Sequence, residues 1–267
     1  MLNIFLDTYR WLFARVIFHK FNKLLYVCSL HGLGIRNYKS DKASGEKFFL
    51  TKILSVLPQN ACVVDVGANI GNYSKAVLAG APTATVIAFE PHPKTFKRLS
   101  ESMGSSKFTA VNAAVGDQNG KLSLYDYSAG DGSEHASLFK DVIEGIHNSK
   151  AIEHQVQVVR LGDFLVRNNI DFVDLLKVDT EGNELAVLMG VAEFLQKNKI
   201  GVIHFEFNEM NVPSRTFFKD FWSLMPNYHL FRLLPSGMLP IEVYRPIFSE
   251  IFAYQNIVAI NKLMRVK

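Results

Sequence analysis

Short apolar runs recur along the chain, and stretches of helical period separate them. "CVVDV" (62–66), "ATVIAF" (84–89), "KFTAVNAAV" (107–115), "VDLLKVD" (173–179) and "IGVIHFEF" (200–207) are nearly continuous in Val, Ile, Leu, Phe and Ala. Such runs predict strands buried on both faces, as in a parallel sheet covered by helices. Helical patterns fall between them, over 44–56, 72–79, 93–103 and 181–188, with a second pattern running to 197. Ser44 is placed to cap the first of these and Pro58 to stop it; Pro93 suits a first helical turn. Near the end, "HLFRLL" (229–234) and "YQNIVAIN" (254–261) lack a convincing helix between them, which predicts an antiparallel pair closing the sheet. The fold class is therefore α/β, with one domain over 45–267 behind a helical extension over 1–44.

Two stretches follow a different rule. "KLSLYDY" (121–127) and "QVQVVRL" (155–161) alternate apolar and polar residues, as half-buried strands do. The segment between them (128–154) is polar, rich in Gly and Ser at its start, and holds His135, His147 and His154. A loop of this length reads either as a substrate-covering lid or as a plain mobile loop.

The first thirty residues carry apolar positions at helical spacing: Leu2, Leu6, Tyr9, Phe13, Val16 and Leu24. Arg10, Arg15, Lys20 and Lys23 interrupt them, so no run approaches the ~20 residues of a membrane span, and no signal peptide is expected. The helix either packs on its own domain or lies on an anionic membrane surface. The expected location is cytoplasmic, at most peripheral to a membrane. The net charge of +4 is uneven: residues 1–60 hold nine Lys/Arg against three Asp/Glu, so the remainder is slightly acidic. That distribution speaks against a nucleic-acid partner. Hydrophobic residues at 48% and charged residues at 20% describe an ordinary globular chain. Cys28 and Cys62 form neither a disulfide framework nor a zinc motif, and Cys62 reads as a core residue.

Ligands of open α/β sheets sit beyond the carboxyl ends of the strands. Asp65, Glu90, Asn112, Asp179 and Glu206 all fall at such ends. The first strand feeds Gly67-Ala-Asn69-Ile-Gly71, a glycine bend without the middle glycine of the dinucleotide pattern G-x-G-x-x-G. Asp65 before it would repel a pyrophosphate and attract an ammonium. A cofactor with an amino-acid end and no phosphate suits this bend, and S-adenosylmethionine has that shape. Glu90, nineteen residues past Gly71, suits two ribose hydroxyls, which both S-adenosylmethionine and NAD possess.

"VVDVGANIGNYS", "AFEPHP", "VNAAVGD" and "LLKVDTEGNELAVLMG", in that order, resemble successive motifs of the FkbM-family methyltransferases, and "IHFEFN" extends the likeness. These are class I, S-adenosylmethionine-dependent enzymes that mostly methylate oxygen on sugars and natural products. The resemblance covers roughly 45–262, and "LHGLGIRNY...SGEKFF" is similar to the leading segment of bacterial members in glycan pathways. It implies a Rossmann-like, seven-stranded, mostly parallel sheet with helices on both faces and a terminal antiparallel pair. It also implies that Asp65, Gly67, Asn69 and Gly71 hold the methionine end, with Tyr73 lining the same pocket. Glu90 would take the ribose, Pro91 would begin the wall beside the adenine, and Asn112 and Ala114 would lie near the adenine.

The acceptor chemistry follows from the strand ends. A sugar hydroxyl is a poor nucleophile at neutral pH, so a base helps, by about 10²–10⁴ in rate. Asp179, Glu181 and Glu206 are the catalytic candidates; Glu181 reads equally as a carboxylate complementing a helix start. His204 shares a strand face with Glu206 and reads either as a core histidine or, with His135 and Asn208, as a substrate contact. Paired carboxylates can hold a divalent ion, but nothing in the spacing requires a metal. The acceptor is then a small molecule or glycan. Two alternatives remain beside an O-methyltransferase: an NAD-type oxidoreductase, and a non-enzymatic membrane- or glycan-associated binding module.

Overall fold

The computed structural model describes residues 1–127, 136–146 and 148–264. It opens with two helices, α1 (Leu2–Phe13) and α2 (His19–Gly32), joined by a tight turn at Val16–Phe18. Two more follow, α3 (Asp41–Ser44) and α4 (Glu46–Leu54), with Ser40 capping the first through the Ala43 amide. The helix expected over 44–56 starts at Glu46, and its N-cap is Gly45, not Ser44, which ends α3: Gly45 adopts φ 85°, and a Cβ there would come within 2.4 Å of the Leu234 carbonyl. Only glycine fits that contact. Among the described residues no helix is long and apolar enough to cross a membrane.

Then strand and helix alternate. β1 (Cys62–Val66), α5 (Asn72–Gly80), β2 (Thr85–Phe89), α6 (Pro93–Glu101) and β3 (Phe108–Val111) are followed by β4 (Ala114–Gly116), β5 (Gly120–Tyr127) and β6 (Ala151–Arg160). After α7 (Leu161–Arg167) come β7 (Val173–Val178), α8 (Glu184–Gly190), α9 (Ala192–Gln196) and β8 (Ile200–Phe207). The chain closes with α10 (Phe218–Leu224), β9 (Tyr228–Leu234), β10 (Gly237–Ile241), α11 (Pro246–Ser249) and β11 (Gln255–Asn261).

The main sheet has the order β10-β9-β11-β8-β7-β1-β2-β3. The strands from β3 to β8 run parallel, and β11 enters antiparallel between β8 and β9. Those are the seven strands expected; β10 adds an eighth as a hairpin on β9. Side chains alternate between two core layers, as strand geometry requires. Val64, Val66, Leu176 and Val178 pack with α7 to α10 through Leu165, Leu188, Leu195 and Phe221. Val63, Leu175 and Val202 pack with α4 and α5 through Phe49, Ile53 and Val77.

The apolar run at 107–115 is not one strand. It breaks at Asn112-Ala113, and β4 joins β6 and β5 in a separate three-stranded sheet. β6 starts at Ala151, so the end of the stretch read as a loop over 128–154 is strand. The helix expected from 181 starts three residues later, at Glu184.

Candidate active site

The bend after β1 is shaped by two left-handed glycines, Gly67 at φ 78° and Gly71 at φ 84°. A Cβ on Gly67 would lie 1.7 Å from the Asp179 carbonyl, so β1 and β7 can converge at their ends only around a residue without a side chain. The amides of Gly67 and Ala68 both donate to the Phe89 carbonyl, which ties the bend to β2. Gly71 caps α5 and abuts Leu99 of α6 and Met103 just beyond it. It shapes the bend but does not line the cleft.

Glu90 stands just past β2 and is buried. Its two carboxylate oxygens accept from the amides of Asn69 (3.0 Å) and His92 (2.8 Å). Burial pushes its pKa up to about 7, although those two hydrogen bonds oppose the rise. Glu90, Pro91, Ala114, Leu124 and Leu138 form part of a narrow slot that opens beside Gly67 and Asn69. Asn112 is placed differently: its amide donates to the carbonyls of Glu90 and Pro91, so it holds the slot's wall from behind. No lysine or arginine lines the slot among the described residues.

On the other side of the bend lies a wider cleft of about 590 Å³, which shares Gly67, Asn69, Asp179 and Glu181 with the slot. Its floor is unusual for a sheet interior. Strand register sets Asp65 beside Lys177, and Lys177 beside His204, in a row across β1, β7 and β8. Lys177 is buried and bonds Asp179 at 3.2 Å. Burial alone would lower its pKa, but Asp179, Glu206 and Glu46 hold it well above the ordinary value, so it stays an ammonium. Glu206 is driven well upward, first by burial and then by the Asp179 charge, with Lys177 pulling back. Asp65 accepts from Ser74 Oγ at 2.6 Å, and burial raises it to about 6. Buried ion clusters of this kind contribute little net stability, whereas perturbed carboxylates gathered in a cleft mark functional sites.

The remaining expected residues fall into place around this floor. Tyr73 lines the cleft and its hydroxyl lies 3.4 Å from His204 Nδ1. Asn208 lines it too, with its amide 3.4 Å from Glu206 Oε2 and its carbonyl oxygen capping the turn at Met210. His204 is fully buried: Nε2 meets Asn256 at 2.9 Å, and its ring packs against Phe49 and Tyr73. Burial lowers its pKa, and the geometry is that of a neutral core histidine, beneath the cleft and out of an acceptor's reach. Glu181 is not at a helix start. It occupies a left-handed turn at φ 52°, followed by Gly182 at φ 105°. The carboxylate serving the helix start is Glu184, which accepts from the amides of Thr180 (2.9 Å) and Gly182 (3.1 Å). Glu181 borders both slot and cleft instead, and Ser137 Oγ donates to its carbonyl. His135 lies outside the described residues, as do residues 128–134 of the candidate lid loop. Its described part packs over the slot through Ala136 and Leu138.

Sequence reasoning passed over Lys177 and Glu46. Lys177 interrupts the apolar run "VDLLKVD", and a lysine inside a buried strand is itself a signal. Glu46 left no such mark, because its helix start reads as ordinary surface. No group of three or more His, Cys, Asp and Glu among the described residues has the geometry to hold a metal.

A glycine bend, a slot lined by Glu90, Asp179 and Glu181, and a charged floor at the junction coincide with the extent of a known domain. The sequence profile described as "Methyltransferase FkbM domain" matches residues 65–233, well over half the chain. The chain belongs to the FkbM methyltransferase family. Membership decides against the NAD-type oxidoreductase and against a binding module without catalysis. Methyltransferase 1 of Beauveria bassiana is 32% identical over 55% of this chain and 65% of its own length. The 2-O-methyltransferase NoeI of Sinorhizobium fredii is 26% identical over 70% of this chain and 80% of its own. The hexuronic acid methyltransferase AglP of Haloferax volcanii is 30% identical over 57% of this chain and 59% of its own. The chain thus spans somewhat under two thirds of the length of several relatives it matches.

Proposed function

We propose that the protein is an S-adenosylmethionine-dependent O-methyltransferase whose acceptor is a sugar or similarly polyhydroxylated molecule. The observation that carries this reading is the continuity of slot and cleft through Gly67, Asn69, Asp179 and Glu181. A cofactor with a nucleoside at one end and an amino acid at the other fits two chambers joined in that way. Among the described residues the slot's lining holds no lysine or arginine, which suits a cofactor that carries no phosphate. Glu90 is placed to accept from two ribose hydroxyls, Leu124 and Leu138 to flank the base, and Asp65 and Asp179 to face an ammonium. When bound, S-adenosylmethionine supplies a methyl group already activated on a sulfonium.

What the chain must then do is position a hydroxyl in line and remove its proton. Positioning can contribute roughly 7–11 kcal/mol of the barrier. Asp179 borders both chambers and is paired with Lys177, so it belongs at the junction, facing positive charge. Glu206 lies only on the cleft side, and burial and the Asp179 charge raise its pKa, which makes its ionised form a stronger base than an ordinary glutamate. Lys177 stays cationic next to it and favours a hydroxyl oxygen that is losing its proton. Tyr38, Ser40, Asn72 and Asn208 line the cleft with hydroxyls and amides, which suits a polyhydroxylated acceptor. Similarity to the 2-O-methyltransferase NoeI supports the direction to oxygen, and similarity to the hexuronic acid methyltransferase AglP supports a sugar acceptor.

Calorimetry tests the cofactor reading. S-adenosylhomocysteine should bind and NAD should not. Glu90→Ala should weaken binding by about 1.5–3 kcal/mol, the range for hydrogen bonds to a charged group. Because the ionised carboxylate is the acceptor and its pKa is about 7, wild-type affinity should also fall as the pH drops through that value. Tight NAD binding without a response to S-adenosylhomocysteine would end this reading. Transfer of tritiated methyl to a panel of neutral and acidic glycans, with a protein acceptor as control, then tests the acceptor class.

A further inference from the structure

The two N-terminal helices keep an apolar face that the rest of the described chain does not cover. No residue of α1 is buried, and in α2 only Leu30 is. Leu2, Phe5, Leu6 and Leu12 fall on one side of α1, and Phe21, Leu24 and Leu25 on one side of α2. Phe5 is 64% exposed, Leu6 51% and Leu24 59%. An exposed patch of this kind marks an interaction surface.

The helices nonetheless have a fixed mutual arrangement. Tyr9 donates to Asn22 at 2.6 Å, Asn22 donates to the Phe13 carbonyl at 2.9 Å, and Phe13 packs against Phe18 and Phe21. This is a built hairpin. Its charge identifies the partner. Residues 1–40 contain Arg10, Arg15, Lys20, Lys23, Arg36 and Lys39, with Asp7 as their only acidic side chain. Beyond residue 40 the chain is close to neutral. Neither helix can cross a bilayer. A short amphipathic hairpin with basic residues among exposed aromatic and aliphatic ones fits the interface of an anionic bilayer.

The link to the domain is short and stiff. A Cβ on Gly34 would meet the Leu233 carbonyl at 2.4 Å, and the Arg36 amide donates to the Tyr254 carbonyl at 2.7 Å. Tyr38, two residues on, already lines the cleft and packs edge-on against Tyr254. Whatever surface the hairpin lies on is therefore next to the cleft mouth.

We propose that the N-terminal helical hairpin is an interfacial anchor for anionic lipid, and that it holds the cleft at the membrane surface. The part concerning the cleft rests on the acceptor site proposed above; lipid binding does not, and its test uses no activity. The full-length chain is floated with vesicles of phosphatidylcholine alone and of phosphatidylcholine with phosphatidylglycerol. It should rise with the anionic vesicles, remain behind with the neutral ones, and be released by raised salt. Lys20→Gln with Lys23→Gln should lower partitioning roughly 30-fold. Leu6→Glu with Leu24→Glu should abolish it while leaving the melting temperature and S-adenosylhomocysteine binding unchanged. Failure to float with anionic vesicles overturns the proposal, as does an unchanged double-Glu variant. So does a lipid-independent dimer that the same double variant dissociates, because a second copy would then cover the face.

Discussion

Gly67→Ala should cost the protein both stability and its cofactor. A left-handed φ of 78° costs an alanine roughly 1–2 kcal/mol. The added methyl would also lie 1.7 Å from the Asp179 carbonyl, a contact with backbone that no rotamer change relieves. Overpacking of that kind adds roughly 1–3 kcal/mol. For a chain of this size, those sums lower the melting temperature by roughly 4–20 °C. The strain separates the ends of β1 and β7, where slot and cleft join, so S-adenosylhomocysteine affinity should fall with it. Gly120→Ala is the control, since a Cβ there meets nothing within 4 Å. Thermal melts and calorimetry on the two variants decide the matter: a Gly67→Ala protein matching wild type in both would mean that the bend is not held as described.

Glu206→Gln should reduce kcat by about 10²–10⁴, the usual contribution of a general base. The pH profile carries the sharper information. The base works when ionised, and burial and Asp179 hold the Glu206 carboxyl protonated to higher pH than an ordinary glutamate. Wild-type kcat should therefore climb as pH rises, and the climb should vanish in Glu206→Gln. Asp179→Asn removes a neighbouring negative charge, which lets Glu206 ionise more easily. The climb should then move toward acid, with part of the rate retained. If instead Asp179→Asn loses the pH-dependent limb and Glu206→Gln keeps it, the base is Asp179. Addition of EDTA in the same assay checks for a divalent ion: a loss restored by Mg²⁺ would make the carboxylates ligands.

The strand runs were legible because a parallel sheet buries both faces, and continuous Val, Ile and Leu have little other use. β1, β2, β7 and β8 fall within a residue or so of the apolar runs that announced them. The run over 107–115 misled for the same reason: hydrophobicity continues through Ala113 while the backbone changes sheets. The "AVGD" end and Asn112, whose amide folds back onto Glu90 and Pro91, hold the only hint of that corner. The helical period read from Glu181 runs through Gly182, but Glu181 and Gly182 together make a left-handed turn, and the helix starts only after it. The strand-end carboxylates could be found by counting from the runs. Their grouping around Lys177 could not, because it depends on register between strands that are distant in sequence. The N-terminal stripe was equally visible, whereas the fact that its face stays uncovered required coordinates.

The position of β11 has a consequence for how the protein is made. This strand, near the C-terminal end of the chain, lies between β8 and β9, and its Asn256 holds His204 under the cleft. While the chain is being synthesised, β8 and β9 each have an unpaired edge until residue 261 has left the ribosome. Open edges of buried, apolar strands are templates for pairing with other chains. Such long-range pairing is also slow to form. A nascent chain stalled or truncated before Gln255 would carry the complete glycine bend, Asp65 and Glu90, yet lack the strand that closes its sheet. Its fate should be aggregation or degradation instead of a weakened enzyme.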